Sequence, residues 1–467
     1  MFSEPIQNCL RIILLVLAAF LFNSCSLPPR SEFKSPRVIL PEKWQGEAVT
    51  GTAIANREQW WKNLNDPLLD ELIDRVLRTN NDLAAATIKV RRARLKSGLT
   101  DTNLTPTVSL TANSNGNLYL NHGTRSQTHS VTGALSYELD LWGKLASLRD
   151  ADRWEAEATE VDRQNTALSL IGTTASAYWQ VAYLNQQIAA SEASIAYAEQ
   201  TLELVQAKYR AGAVSSLDLV QAKRTVATQK ANLTQLEQQR TEARNTLAIL
   251  FDLAPENSVN ERRQLPDGPL PTVEAGLPAS LLGRRPDLRA AELRLRENLA
   301  NVDATRASFY PSFTLTGSLG GSSTSLESVL RDPITTLGVG LVLPFVQWNT
   351  TKLTIKVAET QYEEAVVNFR QTLYLALRDV ENTLSAHALF EAEKVQLEQA
   401  LVLASQAEKI TENRYRAGAT GVQVWLDEQE THRTAETKLA ENRLNRLNNL
   451  MKLYQSLGGD MQTSVTP

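Results

Sequence analysis

The sequence predicts a mostly α chain with a small β part, built as one unit written twice. Lys208-Tyr209-Arg210-Ala211-Gly212-Ala213 recurs as Arg414-Tyr415-Arg416-Ala417-Gly418-Ala419, at an offset of about 205 residues that far exceeds solenoid periods. Other landmarks keep that spacing: Leu83-Ala84-Ala85-Ala86 answers Leu288-Arg289-Ala290-Ala291, Pro106-Thr107-Val108-Ser109-Leu110 answers Pro311-Ser312-Phe313-Thr314-Leu315, and Trp142 answers Trp348. Each half also pairs a stretch of polar/apolar alternation with a very long run almost free of helix breakers.

At 467 residues, 42% hydrophobic and 21% charged, the chain is apolar enough to fold. Forty-eight Lys+Arg against 52 Asp+Glu leave a net charge of −4, and aromatics are only 6%. No basic excess exists to meet a phosphate backbone, so nucleic acid is not an expected partner. Cys9 and Cys25 are the two cysteines, so neither a disulfide framework nor a structural zinc cluster can be built. His122, His129, His387 and His432 lack metal-ligand spacing, and no nucleophile, base and acid constellation or phosphate loop is present. The expectation is therefore a protein with no metal and no cofactor, and not an enzyme.

The first element is a targeting segment. Leu10 to Phe22 form an apolar run of about 13 residues, too short to span a bilayer and the right length for a signal peptide, here residues 1–24. It ends in Leu21-Phe22-Asn23-Ser24-Cys25-Ser26, which resembles the lipobox of bacterial lipoproteins, where cleavage precedes a cysteine that is then acylated. Ser24 fits the small position, whereas Phe22 and Asn23 are atypical, and a plain secretory signal is the alternative. Acylation of Cys25 leaves the mature chain without a free thiol, which suits the oxidising periplasm. Ser26 is not Asp, which by the same resemblance points to the outer membrane. No later stretch approaches 18 uninterrupted apolar residues, so any membrane crossing falls to β-strands.

Strands come next. Thr107 to Ala112 alternate, a Gly/Asn-rich loop is expected over 113–123, and Ala134 to Leu141 alternate again, a hairpin. The second half repeats it with Phe313 to Thr316, a Gly/Ser loop over 317–325, and Leu337 to Phe345. Four strands leave open edges whose backbone groups cannot be satisfied in lipid. A membrane reading therefore requires several chains, and three would bring about 12 strands and an aqueous interior. A soluble sheet packed on helices is the other reading of the same pattern.

The remainder is long helix. Lys144 to Tyr209 contains only Gly172 as a breaker and Thr351 to Ala417 contains none, so each can run about 66 residues, or about 100 Å. Val181, Ile188, Ile195, Leu202 and Tyr209 fall seven apart, with Leu184, Ala198 and Val205 three residues on, an a/d seam. Leu219, Val226, Leu233, Leu236, Ala243, Leu247 and Leu250 answer it after Gly212. Two antiparallel coiled-coil hairpins result, with Gly212 and Gly418 at turns that need a left-handed residue. Alanines scattered around the first helix suggest a second packing seam, although good helix propensity alone also enriches alanine. The return helices run about 40 residues, and Leu68–Leu99 and Pro286–Ser308 are expected to supply the missing length by stacking end to end.

In order and together, several motifs identify a family resemblance. They are Trp60-Trp61-Lys62-Asn63-Leu64-Asn65-Asp66-Pro67, Ser136-Tyr137-Glu138-Leu139-Asp140-Leu141-Trp142-Gly143-Lys144, the two Tyr-Arg-Ala-Gly turns, Arg284-Arg285-Pro286-Asp287-Leu288-Arg289-Ala290-Ala291-Glu292, and Leu343-Pro344-Phe345. The mature chain resembles the TolC-like outer membrane factors, in particular the lipoprotein branch serving resistance-nodulation-division efflux pumps. The resemblance implies a homotrimer with a 12-stranded transmembrane β-barrel, four strands per chain, above a long α-helical coiled-coil barrel crossing the periplasm. It further implies passive conduction of substrate delivered by an inner-membrane pump and a periplasmic adaptor, the membrane fusion protein. Segments follow: 25–105 anchor, equatorial segment and first short helices; 106–142 and 310–348 β-hairpins; 143–255 and 349–457 α-hairpins; 256–309 equatorial linker and short helix; 458–467 tail.

The same resemblance locates a gate at the hairpin tips, residues 209–220 and 415–427. Asp427 takes the acidic position facing the aperture, where three copies repel one another. Its bland reading is an acid near a helix start, favoured by the macrodipole. Gln423 stands where relatives often carry an apolar gate residue, and Glu428 and Glu430 make this tip more acidic. Asp218 matches the acid of the other hairpin and is expected to pair with Arg416 or Arg210 of a neighbouring hairpin. Tyr209 and Tyr415 continue the seam as packing residues, and with Arg210, Gly212, Arg416 and Gly418 they form the surface for an adaptor's hairpin tips. His122 and His129 are expected in the first strand loop, and Trp142 and Trp348 at a membrane interface or capping the helical barrel. A type I secretion duct and a non-conducting periplasmic coiled-coil adaptor are the competing functions; duplication and the second hairpin argue against the latter.

Overall fold

The computed structural model describes residues 30–45, 59–121, 123–255, 260–271, 273, 278 and 281–459. The signal segment, Cys25, His122 and residues 460–467 of the tail lie outside them. Helices α1 (Pro67–Thr79), α2 (Asn81–Asp101), α3 (Lys144–Arg210), α4 (Ser216–Leu250), α5 (Pro286–Ala307), α6 (Trp348–Arg416) and α7 (Val422–Ser456) alternate with strands β1 (Thr107–Tyr119), β2 (Thr124–Leu139), β3 (Ser312–Ser323) and β4 (Ile334–Val342). Two compact units result, each drawing on both halves of the duplication. One takes the chain up to Arg37, Lys89–Glu160 and Ala290–Arg370; the other takes Val38–Ile88, Val161–Arg289 and Gln371 onward.

In the first unit both β-hairpins join one antiparallel sheet, ordered β1-β2-β3-β4. The strands outrun their alternation: 113–119, expected as loop, completes β1, and 317–323 completes β3. Asn, Gly and Ser have little intrinsic strand preference, but ladder pairing outweighs it, with Asn113 opposite Ser130 and Gly116 opposite Gln127. A Cβ on Gly320 would lie 2.5 Å from the Val131 carbonyl oxygen, so the close approach of β2 and β3 needs glycine there. His129, expected in a loop, stands within β2, its Nδ1 2.9 Å from the Ser114 hydroxyl across the ladder.

Register sorts the sheet into two faces. Val108 is opposite Leu135, Leu135 opposite Gly317, and Gly317 opposite Leu337, a single row across four strands. The rows Tyr137, Leu315, Val339 and Leu139, Phe313, Leu341 share that face. The other face carries Ser109, Ala134, Ser318 and Thr336, then Thr107, Ser136, Thr316 and Gly338. Among the described residues nothing covers the apolar face along these rows, with Val108 80% and Leu337 84% exposed. Below the sheet, the Asp140 carboxylate accepts the backbone N–H groups of Leu145 and Ala146 at 2.9 and 2.8 Å, capping α3. Trp142 Nε1 donates to the Pro311 carbonyl at 2.7 Å and its ring stacks on Tyr310, tying the foot of β2 to the start of β3.

The second unit holds the largest core. Trp60, Leu69, Ile73 and Val76 from the first segment pack with Ile171, Tyr178 and Trp179 of α3, Leu373 and Val380 of α6, and Leu447, Met451 and Tyr454 of α7. Trp60 stacks on Tyr454 at 4.4 Å. Asp66 starts α1 at Pro67 and is itself almost fully buried, accepting Arg262 at 2.8 Å and the Tyr178 hydroxyl at 3.2 Å. Burial beside that carboxylate pushes the Tyr178 hydroxyl well above its ordinary pKa. Gly172 does not interrupt α3; it makes room for Gln455, which donates to the Leu168 carbonyl at 3.2 Å.

The long helices have 67 and 69 residues, about 100 Å each, and the return helices 35 each rather than the expected 40. End-to-end stacking supplies the rest. Asn80 donates to the carbonyl of Leu250, the last residue of α4, at 3.0 Å, while its Oδ1 accepts the N–H groups of Asp82 and Leu83 at the start of α2. Arg285 occupies the same place in the second half, donating to the Ser456 carbonyl at 3.3 Å one residue before α5 begins. In both halves one side chain thus satisfies the end of a helix and leads into the next.

Candidate functional site

The second unit contains both hairpin turns, and they are built alike. α3 ends at Arg210 and Gly212 adopts φ +72°; α6 ends at Arg416 and Gly418 adopts φ +73°. The N–H of Ala213 reaches back to the Lys208 carbonyl at 2.9 Å, and that of Gly212 to Tyr209 at 2.9 Å. Ala419 to Arg414 at 2.8 Å and Gly418 to Tyr415 at 3.1 Å repeat the pattern, a Schellman motif in each turn.

The two turns then diverge. Ser215 and Asp218 form a reciprocal capping box at the start of α4, with Asp218 accepting the Ser215 N–H at 2.9 Å and its hydroxyl at 2.6 Å. At the same step α7 begins from Gly421, with no side-chain cap. The Ser215 hydroxyl, aided by the backbone N–H groups of Ser215, Val422 and Asp218, holds the Asp218 carboxyl below the usual carboxylate range. Val422 opens α7, so the first hairpin's acid stabilises the start of the second hairpin's return helix. The expected Asp218–Arg416 pair is not made in the chain: Arg416 is taken by Glu412 one turn earlier, at 2.8 Å. Asp218 is the third residue of α4 and Asp427 the sixth of α7, so the two acids stand at different steps.

Between the turns lies a small separate core of Val205, Ala222, Tyr415, Val422, Trp425 and Leu426. Tyr415 is 2% exposed, stacked on Trp425 at 5.3 Å, with the Lys208 ammonium 4.1 Å from its ring centroid. That ammonium also donates to the Tyr415 carbonyl at 2.9 Å. Burial and the charge of Asp218 push the Tyr415 hydroxyl up. Tyr209, expected to pack as Tyr415 does, is 43% exposed. Trp425 covers Tyr415, whereas Leu219, the residue at the equivalent step of α4, is half-buried against this same core. Gln423 Nε2 donates to Asp427 Oδ1 at 2.5 Å along one exposed face of α7.

One step above this core is a polar network absent from the sequence reading. His432 Nδ1 of α7 is 2.5 Å from Glu408 Oε2 of α6, and Tyr197 of α3 also hydrogen-bonds to Glu408. Burial first, then Glu408 and Glu412, push the Tyr197 hydroxyl up to about 12. Gln429 Nε2 donates to Thr201 Oγ1 at 3.3 Å, and Gln229 Nε2 to Glu430 Oε2 at 3.3 Å. These contacts join the first α-hairpin to the second. Their only sequence signal is position beside the tips, since His432 belongs to no motif.

A four-stranded sheet with one exposed apolar face suits insertion into lipid, and the chain belongs to the outer membrane efflux protein family, whose model matches residues 72–251 and 277–459. It is an outer-membrane efflux protein. Toxin and drug export protein A of Aggregatibacter actinomycetemcomitans is 31% identical over 406 residues, 86% of this chain and 89% of that protein. The pyoverdine export outer membrane protein OpmQ of Pseudomonas putida is 31% identical over 433 residues, 90% and 92% of the two chains. SilC of Salmonella typhimurium, described as a probable outer membrane lipoprotein, is 27% identical and covers 96% of this chain and 98% of its own. Among solved structures, the open state of the Neisseria gonorrhoeae MtrE outer membrane channel superposes with a TM-score of 0.80 at 28% identity, covering 93% of this chain and 98% of that one.

Proposed function

We propose that three copies of this chain form a conduit through the outer membrane, the exit duct of a tripartite pump with a periplasmic adaptor and an inner-membrane resistance-nodulation-division transporter. The observation that carries it is the sheet. Its apolar face is exposed in register across all four strands, its other face is small and polar, and β1 and β4 each keep an unpaired edge. Lipid accepts such a sheet only when closed, and three copies give about 12 strands, enough for a water-filled lumen. The anchor reading has Cys25 acylated, in keeping with the lipoprotein description of SilC. The chain acts as a passive duct and not as an enzyme, without a cofactor beyond that lipid.

The gate reading puts Asp427 of α7 at the aperture, restrained by Gln423, with Asp218 holding the two hairpins together. Gly421 supplies no side-chain cap, so the start of α7 depends on Asp218 of the first hairpin, which supports that contact as one a gate movement would break. Tyr209, Arg210, Gly212, Tyr415, Arg416 and Gly418 are the surface offered to the adaptor. A second reading is a type I secretion duct of the same architecture; one relative is named for toxin and drug export.

Single-channel conductance in a planar bilayer, with chemical crosslinking, tests this. Low conductance that rises in Asp427→Ala, from a protein crosslinking as a trimer, supports the gated conduit. Absence of both conductance and trimer overturns it.

A further inference from the structure

The apolar face of the sheet has a defined upper border. Above Leu135 and Gly317 come Gly133 and Leu319, then Ala112, Val131 and Gly321, and the next row on that face is Ser114, His129 and Ser323. The apolar belt therefore ends at Gly321. β4 stops just short of this level: its first residue, Ile334, lies opposite Gly320, and Pro333 before it has no N–H with which to extend the ladder. The connection from β3 to β4, residues 324–333, takes the vacated place. A Cβ on Gly321 would collide with the Val329 carbonyl oxygen, so glycine is what lets the connection approach the strand. Gly321 shares the face of Leu315 and Leu319, which puts the connection on the apolar side of the sheet. Val329 is 4% exposed, whereas Leu326 and Leu330 on either side of it are 72% and 70% exposed. All of these residues belong to the unit that carries the sheet.

We propose that residues 325–331 are an interfacial foot and not a cover for the pore mouth: seated on Gly321 at the upper border of the belt, they place Leu326 and Leu330 among the acyl chains of the outer leaflet. This rests on the reading above that the apolar face meets lipid. The occupant follows from continuity, since the same face carries Leu319 and Leu337 below the foot and turns polar in the row above it. A connection that rose above the sheet or folded to its polar side would hold two exposed leucines in water. On the apolar side, at this level, they meet the boundary between headgroups and acyl chains, where an apolar segment settles about 5–10 Å deep. The foot also satisfies much of its own backbone, as a water-poor medium requires. The Ser328 N–H donates to the Ser325 carbonyl at 3.1 Å, that of Arg331 to the Ser328 carbonyl at 3.1 Å, and that of Ser325 to the Ser323 hydroxyl at 3.2 Å. Glu327, Arg331 and Asp332, all exposed, are left for the headgroup layer.

Nitroxide labels on Leu326→Cys and Leu330→Cys, in a Cys9→Ser, Cys25→Ser background folded into phosphatidylethanolamine/phosphatidylglycerol vesicles, read the depth of each site. Oxygen, which concentrates in lipid, is compared with a water-soluble nickel chelate as the relaxing agent. Leu337→Cys gives the lipid reference and Asn121→Cys, exposed in the β1–β2 turn, the aqueous one. The expected oxygen-to-nickel ratio at both leucines is several-fold above that at Asn121 and below that at Leu337. Gly321→Ala, which leaves no room for the Val329 carbonyl, should bring the Leu326 ratio down toward the Asn121 value; if that variant does not fold, the ratios with Gly321 in place still decide. Ratios at Leu326 and Leu330 equal to that at Asn121, with Leu337 high, overturn the foot alone, whereas a low ratio at Leu337 as well sinks the lipid-facing reading and the foot with it. Labels shielded from both agents would show a second copy covering the connection and overturn the lipid occupant. Loss of conductance when a bulky thiol reagent modifies either cysteine would make the connection a cover for the pore and overturn the proposal.

Discussion

Gln423 donates to Asp427 at 2.5 Å, one turn apart on the exposed face of α7. The amide neutralises no charge, so it orients the carboxylate without quenching it. Gln423→Leu should leave the charge and release the orientation, whereas Asp427→Ala removes the charge. Single-channel recordings are expected to show a several-fold conductance increase for Asp427→Ala and a smaller one for Gln423→Leu. Equal conductance in all three proteins would place the constriction elsewhere.

Asp218 titrates below its ordinary range because the folded tip favours its charged form. Its contribution to stability is therefore complete above the unfolded carboxylate pKa of about 4 and is lost as pH falls through the lower folded value. Hydrogen-exchange protection factors at residues 215–222 and at Val422 should fall below about pH 4 in the wild type. Asp218→Asn should show that fall already at pH 7, with a loss of about 0.5–2 kcal/mol, the usual worth of a cap.

Trp425 is 1% exposed between Tyr415 and Tyr197. Trp425→Ala should destabilise the tip core by about 3–5 kcal/mol, and Trp425→Phe by much less. Limited proteolysis at Arg210 and Arg416 measures this locally; equal cleavage rates in both variants would mean that the stack holds nothing together.

The helix-end splices were half legible. Two short helical segments stacking on the return helices follows from chain length, yet Asn80 belongs to no motif and Arg285 stands in one without its capping role being legible, because that role depends on where Leu250 and Ser456 end. Asn80→Ala is expected to cost about 1–3 kcal/mol, the penalty for leaving the Leu250 carbonyl and two N–H groups without their partner, and to show first as faster exchange over 81–84. Thermal unfolding unchanged within error would remove Asn80 from the account.

What the sequence makes plain is what repeats or what backbone geometry forces: the duplication, the breaker-free helices, and the left-handed glycines 212 and 418. The strand lengths were hidden because Asn113 to Asn117 and Gly317 to Gly321 take their conformation from their ladder partners. Tyr209 and Tyr415 open the same Tyr-Arg-Ala-Gly-Ala run, yet Tyr415 alone is covered by Trp425 and Lys208, neighbours that its own stretch of chain does not supply. Likewise the Tyr197–Glu408–His432 network joins three helices, and no single stretch of chain signals it.

Which face of the sheet meets lipid is open to direct trial. Val108→Lys, in the apolar row with Leu135 and Leu337, should impair folding into vesicles by about 2–4 kcal/mol, whereas Ser109→Lys on the opposite face should insert nearly normally. Band shifts between folded and heat-unfolded protein on cold electrophoresis report both; the reverse ranking would invert the faces.

The open edges of β1 and β4 have a kinetic consequence. A lone chain meeting the bilayer would drag two rows of bare amides and carbonyls into hydrocarbon, so the productive event is an encounter of several chains at the surface. Appearance of the finished pore should then depend on copy number far more steeply than first order. Dilution of newly exported chains would delay the channel out of proportion to the protein lost, and a small excess of chains with a blocked edge would poison assembly.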